Sequence, residues 1–305
     1  MDQINEVMVV GAGAVGSAVA AIIESHLPGS VAVLADAARR ERYRRQGFLL
    51  NDRRFDFRLV DPVEATRPDL LIVAVKNAQL PAAIDQMRNH VGPDTLIVSL
   101  MNGITSEEDL AAAFGWSKVL YAMILGIDAV RRDTETRYSA GGVVHFGDAK
   151  NPKGAWSPRV RRIAEFFERA GVKYSVPEDM LRSLWYKFMI NVGINQCSAV
   201  LRARYRVFQS VPPARELMEA VMREVVALSA ALGTGLVEAD IASWYETLAT
   251  LSPDGMTSML QDVEAGRKTE VDSFGGAVVE LGRKKGVAAP LNEALLLIIR
   301  AIDAI

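Results

Sequence analysis

The sequence predicts an α/β protein with an N-terminal doubly wound parallel sheet and an all-helical C-terminal domain. Apolar strand-like runs alternate with helical segments in the first half of the chain, which is typical of a parallel sheet with helical crossovers. A glycine-rich segment follows the first of these runs. From residue 178 onward the apolar residues recur at helical spacing. We therefore expect one domain over residues 1–177 and a second over residues 178–305.

The first domain is predicted element by element from these apolar runs. Continuous apolar runs are expected of parallel strands that are covered on both faces. The predicted strands are residues 6–10, 31–35, 70–75 and 95–100. The predicted helices that alternate with them are residues 14–25, 39–46 and 80–89.

The remainder of the first domain has a different character. Residues 119–148 contain short strand-like runs and Gly-rich turns, which predict an antiparallel extension of the sheet. A polar loop over 148–158 leads to a predicted helix over 159–170. Residues 174–177 are expected to be the connector to the helical domain.

The composition excludes several classes of protein. The 305 residues carry 35 Lys and Arg against 37 Asp and Glu, so no general nucleic-acid or anionic-membrane partner is indicated. The one cysteine, Cys197, allows no intrachain disulfide. The N-terminus lacks the features of a signal peptide, and the most apolar long segment, residues 188–201, is too short and too polar to span a bilayer. We expect a cytoplasmic protein with no metal site, since the three histidines are scattered.

A glycine motif lies between the first predicted strand and the first predicted helix. In a Rossmann-like domain the first glycine permits a tight turn, the second lets the backbone approach a pyrophosphate, and the third lets helix and strand pack closely. The positive end of the helix then holds the phosphates. The predicted dinucleotide-binding segment consists of Gly11, Ala12, Gly13, Ala14, Val15 and Gly16.

The end of the second predicted strand bears on the choice of cofactor. Asp36 lies where an acidic residue usually bonds the ribose 2′-hydroxyl and disfavours a 2′-phosphate. Arginines that could bind a 2′-phosphate follow within the next helix, where one or two could reach it, although a solvated helix face is the simpler explanation of most of them. They are Arg39, Arg40, Arg42, Arg44 and Arg45. The two signals disagree, so the sequence leaves both NADP and NAD open.

The second domain contains a polar stripe in an apolar segment. Lys187, Asn191 and Asn195 are spaced i, i+4 and i+8, so on an α-helix they share one face. A lysine in apolar surroundings needs a partner or a function, because burying an unpaired charge is costly. From these residues alone, a snorkelling lysine beside two hydrogen-bonded asparagines is an equally good interpretation.

Two further polar residues follow buried strands of the first domain. Lys76 comes after residues 70–75 and Asn102 after residues 95–100. Ligands of open parallel sheets bind beyond the carboxyl ends of the strands, so both side chains are candidates to face cofactor and substrate. An exposed loop lysine and an Asn-Gly turn residue are the alternatives. Ser258 and Glu270 are, by themselves, ordinary helix-surface residues.

Five segments taken in this order resemble the ketopantoate reductase (2-dehydropantoate 2-reductase) family. They are the glycine motif, VKNAQ at 75–79, MNG at 101–103, WYKFMINVGIN at 185–195 and SMLQDVEAGRKTEVD at 258–272. The resemblance covers essentially the whole chain. It implies NADPH-dependent reduction of ketopantoate to pantoate, a step toward pantothenate and coenzyme A.

The resemblance also implies roles for individual residues. Lys187 would be the general acid and Glu270 would bond the substrate hydroxyl. Asn102 would lie between cofactor and substrate, and Lys76 would line the cofactor side. The remaining substrate-binding residues would be Asn191, Asn195 and Ser258.

Asp36 departs from the family pattern, in which members that use NADPH tend to carry an arginine. This leaves NAD open as the cofactor and a different branched 2-keto acid open as the substrate. Another two-domain 2-keto acid or 3-hydroxyacid dehydrogenase and a non-catalytic dinucleotide sensor are the alternative functions. The expected partner is a small molecule, and a homodimer is one arrangement that the sequence allows.

Overall fold

A computed structural model describes residues 3–132 and 135–305. The chain divides into two compact units, the first ending at Met180 and the second comprising Leu181–Ile305. The sequence-based expectation had placed this division at residues 177 and 178. Within the described ranges, no helix is both long enough and apolar enough to cross a membrane.

The first unit contains all the strands among the described residues and five α-helices. The strands are β1 (Val7–Val10), β2 (Val31–Leu34), β3 (Phe48–Leu50), β4 (Arg53–Phe55), β5 (Arg58–Val60), β6 (Leu70–Val73), β7 (Leu96–Ser99), β8 (Val119–Ile127), β9 (Val130–Arg132), β10 (Glu135–Arg137), β11 (Gly141–Gly147) and β12 (Tyr174–Ser175). The helices are α1 (Ala14–His26), α2 (Ala37–Gln46), α3 (Leu80–Met87), α4 (Ser106–Phe114) and α5 (Pro158–Arg169).

Eight of these strands form the main sheet, in the order β12-β11-β8-β7-β6-β1-β2-β5. From β5 to β8 all neighbouring strands are parallel. The central strands β1, β2, β6 and β7 are buried at every position, which explains their continuous apolar sequences. The predicted doubly wound α/β sheet is therefore confirmed.

Helices cover both faces of the main sheet. On one face Val19 of α1 and Phe167 of α5 belong to the same buried cluster as Val9 and Val33 of the sheet. On the other face Leu80 of α3 and Leu110 of α4 join a second buried cluster. Burial on two sides leaves the loops at the strand ends as the places where polar side chains can face a ligand.

The prediction for residues 119–148 is correct only in part. Strands β8 and β11 extend the main sheet as an antiparallel pair, as expected. Strands β9 and β10 instead join β3 and β4 in a separate four-stranded sheet of order β4-β3-β10-β9, the accessory sheet. The connector expected at residues 174–177 is also wrong in part, because β12 pairs with β11. Strand β10 pairs with β3 and strand β12 pairs with β11, and local patterns do not reveal partners that are this distant in sequence.

The second unit is helical throughout its described residues, as predicted, apart from its loops. Its helices are α6 (Met180–Ile190, beginning one residue earlier), α7 (Gln196–Leu201), α8 (Tyr205–Ser210), α9 (Pro212–Leu232), α10 (Glu238–Thr250), α11 (Ser258–Glu264), α12 (Gly275–Lys285) and α13 (Pro290–Ile302). The long helix α9 buries Met218, Val221, Met222 and Val225 on one face, at the spacing expected of a core helix. Its neighbours in the unit include α8, α10, α12 and α13.

Candidate active site

Two glycines of the turn between β1 and α1 are required by the packing of the protein itself. Gly11 has a φ of +95°, and a Cβ there would lie 2.6 Å from Val75 Cγ1 and 2.7 Å from the Ala74 carbonyl oxygen. A Cβ at Gly16 would lie 2.1 Å from the carbonyl oxygen of Gly11. Any side chain at either position would displace the backbone, so the tight turn and the close helix–strand approach account for both glycines.

Gly13 differs from both, because no residue that the structure describes requires a glycine there. Its φ of −76° and ψ of −160° suit any residue, and it is the N-cap of α1. A Cβ at this position would meet nothing nearer than the Ala74 carbonyl oxygen, at 3.9 Å. Gly13 is exposed, and the first turn of α1 carries no acidic residue. The open space at a positive helix end fits the pyrophosphate of a dinucleotide, which would fill the volume that a side chain would take.

The other residues of the motif form the entry to the helix. Ala14 and Val15 are its first two residues, whose backbone N–H groups have no partner within a helix. Ala12 is buried, and its carbonyl oxygen accepts a hydrogen bond from Ser17 Oγ at 3.1 Å. The Ala12 carbonyl group therefore points toward the buried side of the turn.

Asp36 follows β2 and caps the N-terminus of α2. Its Oδ1 accepts a hydrogen bond from the Arg39 backbone N–H at 2.8 Å, and Arg39 Nε lies 3.6 Å from its Oδ2. The carboxylate remains 42% exposed. Arg40 forms an ion pair with Asp61. Two of the five candidate arginines thus have carboxylate partners within the protein.

The loops after β6 and β7 are joined by a hydrogen bond. Asn77 Nδ2 donates to the Asn102 carbonyl oxygen at 3.0 Å. Lys76 is exposed and precedes a short 3₁₀ turn, Asn77–Gln79, whereas Asn102 is half-buried. The structure therefore brings the two predicted strand-end segments together, and Asn77, which we had not singled out, is the residue that links them.

A buried carboxylate beneath the 101–103 loop was not predicted from the sequence. Glu107, in the first turn of α4, is 1% exposed and accepts a hydrogen bond from Ser106 Oγ at 2.9 Å. Ser106 Oγ lies 2.8 Å from Ser99 Oγ, which accepts from the Met101 N–H at 3.3 Å. Burial, together with the charges of Glu107 and Glu108, raises the pKa of Tyr121. An acidic residue at the start of a helix is too common a pattern to have indicated this network.

We had expected the polar stripe of the second unit to lie on one continuous α-helix, and this expectation is wrong. Lys187 is in the last turn of α6, and Asn191 and Asn195 are the first and last residues of a π-helical turn that separates α6 from α7. Lys187 and Asn191 are half-buried and Asn195 is 5% exposed. A Cβ at Gly193 would lie 2.6 Å from Met222 Cγ, so α9 packs directly against this turn. Single π turns frequently occur at functional sites.

Ser258 lies next to the π turn through a chain of hydrogen bonds. Ser198 Oγ donates to the Asn195 carbonyl oxygen at 3.1 Å and shares a short hydrogen bond with Thr257 Oγ1. Thr257 also caps α11, accepting from the Leu260 N–H at 3.1 Å. Ser258, the first residue of α11, is exposed. The structure thus places the Asn195 and Ser258 segments side by side.

The segment that carries Glu270 is anchored on both sides to α13 and the residue that follows it. Thr269 Oγ1 donates to Asp303 Oδ2 at 2.8 Å, and Arg300 Nη2 donates to Asp272 Oδ1 at 2.6 Å. Glu270 is half-buried between these anchors. The backbone at Glu270 is therefore fixed by contacts on both sides.

These features define the class of protein. An open parallel sheet, a glycine turn with free volume at Gly13 and an acidic residue after β2 are the features of a dinucleotide-binding α/β protein, here with a helical second unit. The described residues contain no group of three or more His, Cys, Asp or Glu side chains that could hold a metal ion.

Comparison with known proteins identifies the family. Residues 7–151 match the profile described as "Ketopantoate reductase PanE/ApbA", and residues 179–303 match "Ketopantoate reductase PanE/ApbA C terminal". The chain is also similar to the 2-dehydropantoate 2-reductase of Aquifex aeolicus, with 31% identity over 241 residues, 77% of this chain and 76% of the relative. The chain belongs to the ketopantoate reductase family, and it is thereby an NAD(P)-dependent oxidoreductase.

Solved structures show the same fold over the whole chain. A D-mandelate dehydrogenase with NADH and anilino(oxo)acetate superposes with a TM-score of 0.87 at 20% identity, covering 98% of both chains. A dimeric ketopantoate reductase from Staphylococcus aureus gives a TM-score of 0.81 at 19% identity, covering 98% of this chain and 99% of the other. At such identities the likeness establishes the fold alone.

Proposed function

We propose that this enzyme reduces a small branched 2-keto acid, namely 2-dehydropantoate (ketopantoate), to the corresponding 2-hydroxy acid. The observation that carries the proposal is the group of Lys187, Asn191 and Asn195 around the π turn of an otherwise apolar helix. Membership of the family and the 31% identity to a 2-dehydropantoate 2-reductase support this choice of substrate.

Lys187 is the proton donor in this proposal. When bound, the reduced nicotinamide supplies a hydride to the keto carbon, and negative charge then develops on the carbonyl oxygen. An ammonium group aimed at that oxygen stabilises the charge and transfers a proton to it. Lys187 is half-buried, so its side chain is held by its surroundings and yet remains accessible to a ligand.

The other polar residues of the second unit orient the substrate. The side-chain amides of Asn191 and Asn195 each offer two N–H donors, which suit a carboxylate and a carbonyl oxygen. Glu270 accepts a hydrogen bond from the substrate hydroxyl, and Ser258 contributes a hydroxyl group. In the first unit, Asn102 and Lys76 lie at the strand ends where the nicotinamide half of the cofactor binds in this class.

For the cofactor, we propose NADH in preference to the NADPH that is usual in the family. Asp36 presents an exposed carboxylate directly after β2, where an acidic residue usually bonds the ribose 2′-hydroxyl, and its negative charge would repel a 2′-phosphate bound there. Arg39 faces this same carboxylate, and Arg40 is paired with Asp61. Both arginines are therefore already partly neutralised.

The deciding experiment measures turnover with NADH and NADPH on three substrates. They are ketopantoate, 3,3-dimethyl-2-oxobutanoate, which lacks only the hydroxyl group, and phenylglyoxylate, which tests the activity suggested by the fold likeness to a mandelate dehydrogenase. The highest kcat/KM is expected on ketopantoate. A preference for phenylglyoxylate would reassign the substrate. If no substrate caused oxidation of NADH or NADPH, the proposal would be refuted in favour of the alternative function, a non-catalytic dinucleotide sensor.

The role of Lys187 is tested by Lys187→Met, which keeps most of the apolar stem and removes the donor. General acid catalysis contributes about 10²–10⁴-fold, so we expect kcat to fall by at least about 100-fold. The Kd for NADH should stay within about twofold, a difference of less than about 0.5 kcal/mol, because Lys187 acts on the substrate carbonyl. Lys285→Met, at an exposed lysine in the last turn of α12, is the matched control. A Lys187→Met enzyme that retains more than about a third of its turnover would refute the assignment.

A further inference from the structure

We propose that Arg131 is a positioning residue for the cofactor: it holds the Ala12–Gly13 peptide so that the Gly13 N–H faces the pyrophosphate. The inference rests on the proposed dinucleotide binding. Arg131 lies 115 residues or more along the chain from the glycine turn, and neither the glycine motif nor the family segments include it.

The guanidinium of Arg131 reaches the inner side of the turn. Its Nη1 donates hydrogen bonds to the Ala12 carbonyl oxygen and to Ser17 Oγ, the latter at 2.7 Å. Ser17 Oγ donates in turn to the same carbonyl oxygen, at 3.1 Å. A hydroxyl group can accept and donate at once, so the three groups form one closed arrangement. The Ala12 carbonyl therefore has two donors, one of them charged.

The orientation of this carbonyl determines where the next N–H points. The described chain has no cis peptide bond, and in a trans peptide the C=O and the following N–H point in opposite directions. Because the Ala12 C=O faces Arg131 and Ser17, the Gly13 N–H faces away from them. Ala12 is buried and Gly13 is exposed, so that direction is outward. The N–H thus points away from the protein interior, on the side of the turn where Gly13 is exposed.

The accessory sheet brings Arg131 to this position. Arg131 is the middle residue of β9, which pairs with β10, and β10 pairs with β3. The guanidinium carbon lies 5.8 Å from the ring centre of Tyr43 and 5.7 Å from that of Phe48, both buried side chains. Cation–π contacts at this range hold the guanidinium in place. A sheet that takes no part in the main parallel array thereby acquires a function at the cofactor site.

A positive charge near a pyrophosphate would also favour binding without orienting any peptide. Lysine at position 131 keeps the charge but lacks the planar fork, which can bond two acceptors and stack on two rings. The comparison of Arg131→Lys with Arg131→Met therefore separates orientation from charge.

The experiment measures Kd by titration calorimetry for NADH, for ADP-ribose, which contains the pyrophosphate, and for adenosine, which does not. For Arg131→Met we expect Kd for NADH and ADP-ribose to rise by about tenfold, equivalent to about 1.4 kcal/mol. The Kd for adenosine should remain within about twofold, because only ligands with phosphates meet the Gly13 N–H. At saturating NADH, kcat should be unchanged, because the substitution affects the binding of the cofactor and not the chemical step. A general loosening of the domain would weaken all three ligands together.

Arg131→Lys should resemble Arg131→Met, and Ser17→Ala should produce a smaller change in the same direction. Arg132→Met, at the exposed neighbour on β9, should bind as the wild type does. Full affinity in Arg131→Lys, or equal losses for adenosine and ADP-ribose, would overturn the inference. If Arg131→Met fails to fold, Arg131→Lys and Ser17→Ala decide the question. Wild-type protein that binds neither NADH nor ADP-ribose would instead refute the proposed function.

Discussion

Replacing Gly13 with alanine separates the requirement of the cofactor from that of the fold. Apart from its chain neighbours, the added Cβ would meet no atom of the described residues closer than 3.9 Å, and the backbone angles at Gly13 are allowed for alanine. Losing glycine flexibility in the unfolded chain stabilises by about 0.4–1 kcal/mol, whereas alanine is the poorer N-cap by a similar amount. The two effects nearly cancel. We expect the melting temperature of the apoprotein to change by no more than about 4 °C.

Binding of the cofactor should respond strongly to the same substitution. The methyl group would enter the volume assigned to the pyrophosphate, and overpacking by one methyl typically costs about 1–3 kcal/mol. This corresponds to a rise in Kd for NADH of about 5- to 140-fold. Fluorescence titration with NADH measures Kd, and differential scanning fluorimetry of the apoprotein measures stability.

Gly16→Ala is the matched comparison, because it should lower the stability of the apoprotein, which Gly13→Ala should leave nearly unchanged. A Cβ there would lie 2.1 Å from the Gly11 carbonyl oxygen and 3.2 Å from Val9 Cγ1, so backbone must move. We expect the melting temperature to fall by about 2–12 °C, from a cost of about 1–3 kcal/mol. If Gly13→Ala binds NADH as tightly as the wild type, the space beside Gly13 does not hold the pyrophosphate.

Three further outcomes are expected. Asp36→Asn keeps the N-cap acceptor and removes the charge, so the ratio of kcat/KM for NADPH to that for NADH should rise by about tenfold or more; an unchanged ratio would remove Asp36 from cofactor selection. Glu270→Ala should lose about 1–3 kcal/mol more in kcat/KM on ketopantoate than on 3,3-dimethyl-2-oxobutanoate, because the substrate hydroxyl is left unpaired; equal losses would mean that the glutamate has another role. Burial raises the pKa of Cys197 to about 12, so iodoacetamide at pH 8 should label it slowly in the folded protein and rapidly in urea, where its pKa is about 8.5. Since the neutral thiol is favoured only in the folded state, its contribution to stability is complete below about pH 8.5 and is lost as the pH rises toward 12. Rapid labelling of the folded protein would contradict its burial.

Much of the main sheet could be predicted from the sequence, because its signals are local. The strands β1, β2, β6 and β7 are apolar at every position, and only a strand buried on both faces produces such runs. The glycine motif is likewise recognisable locally, since it lies between a strand and a helix and Gly16 is required by the carbonyl oxygen of Gly11. The helical second unit was predictable from its periodicity.

Other features depend on contacts between distant segments, and the sequence could not indicate them. The strands of the accessory sheet have three residues each, some with exposed arginines, and β10 pairs with β3 across more than 80 residues. The segment around residue 193 packs against Met222 of α9, a contact that the local sequence does not reveal. The Glu107 network is different, because it lies within residues 99–107; what the sequence did not indicate is that this carboxylate is buried.

The sequence by itself therefore determined the alternation of strands and helices, the dinucleotide turn and the residue types of the candidate site. The tertiary structure decided how these residues are held: Asn77 against Asn102, the Asn195 segment against Thr257, and Arg131 against Ala12. The physical reason is that apolar periodicity and steric constraints act along the chain and leave a pattern in it. A single hydrogen bond or ion pair between distant residues leaves no such pattern, because the sequence around a polar residue does not show whether its side chain faces solvent or a partner.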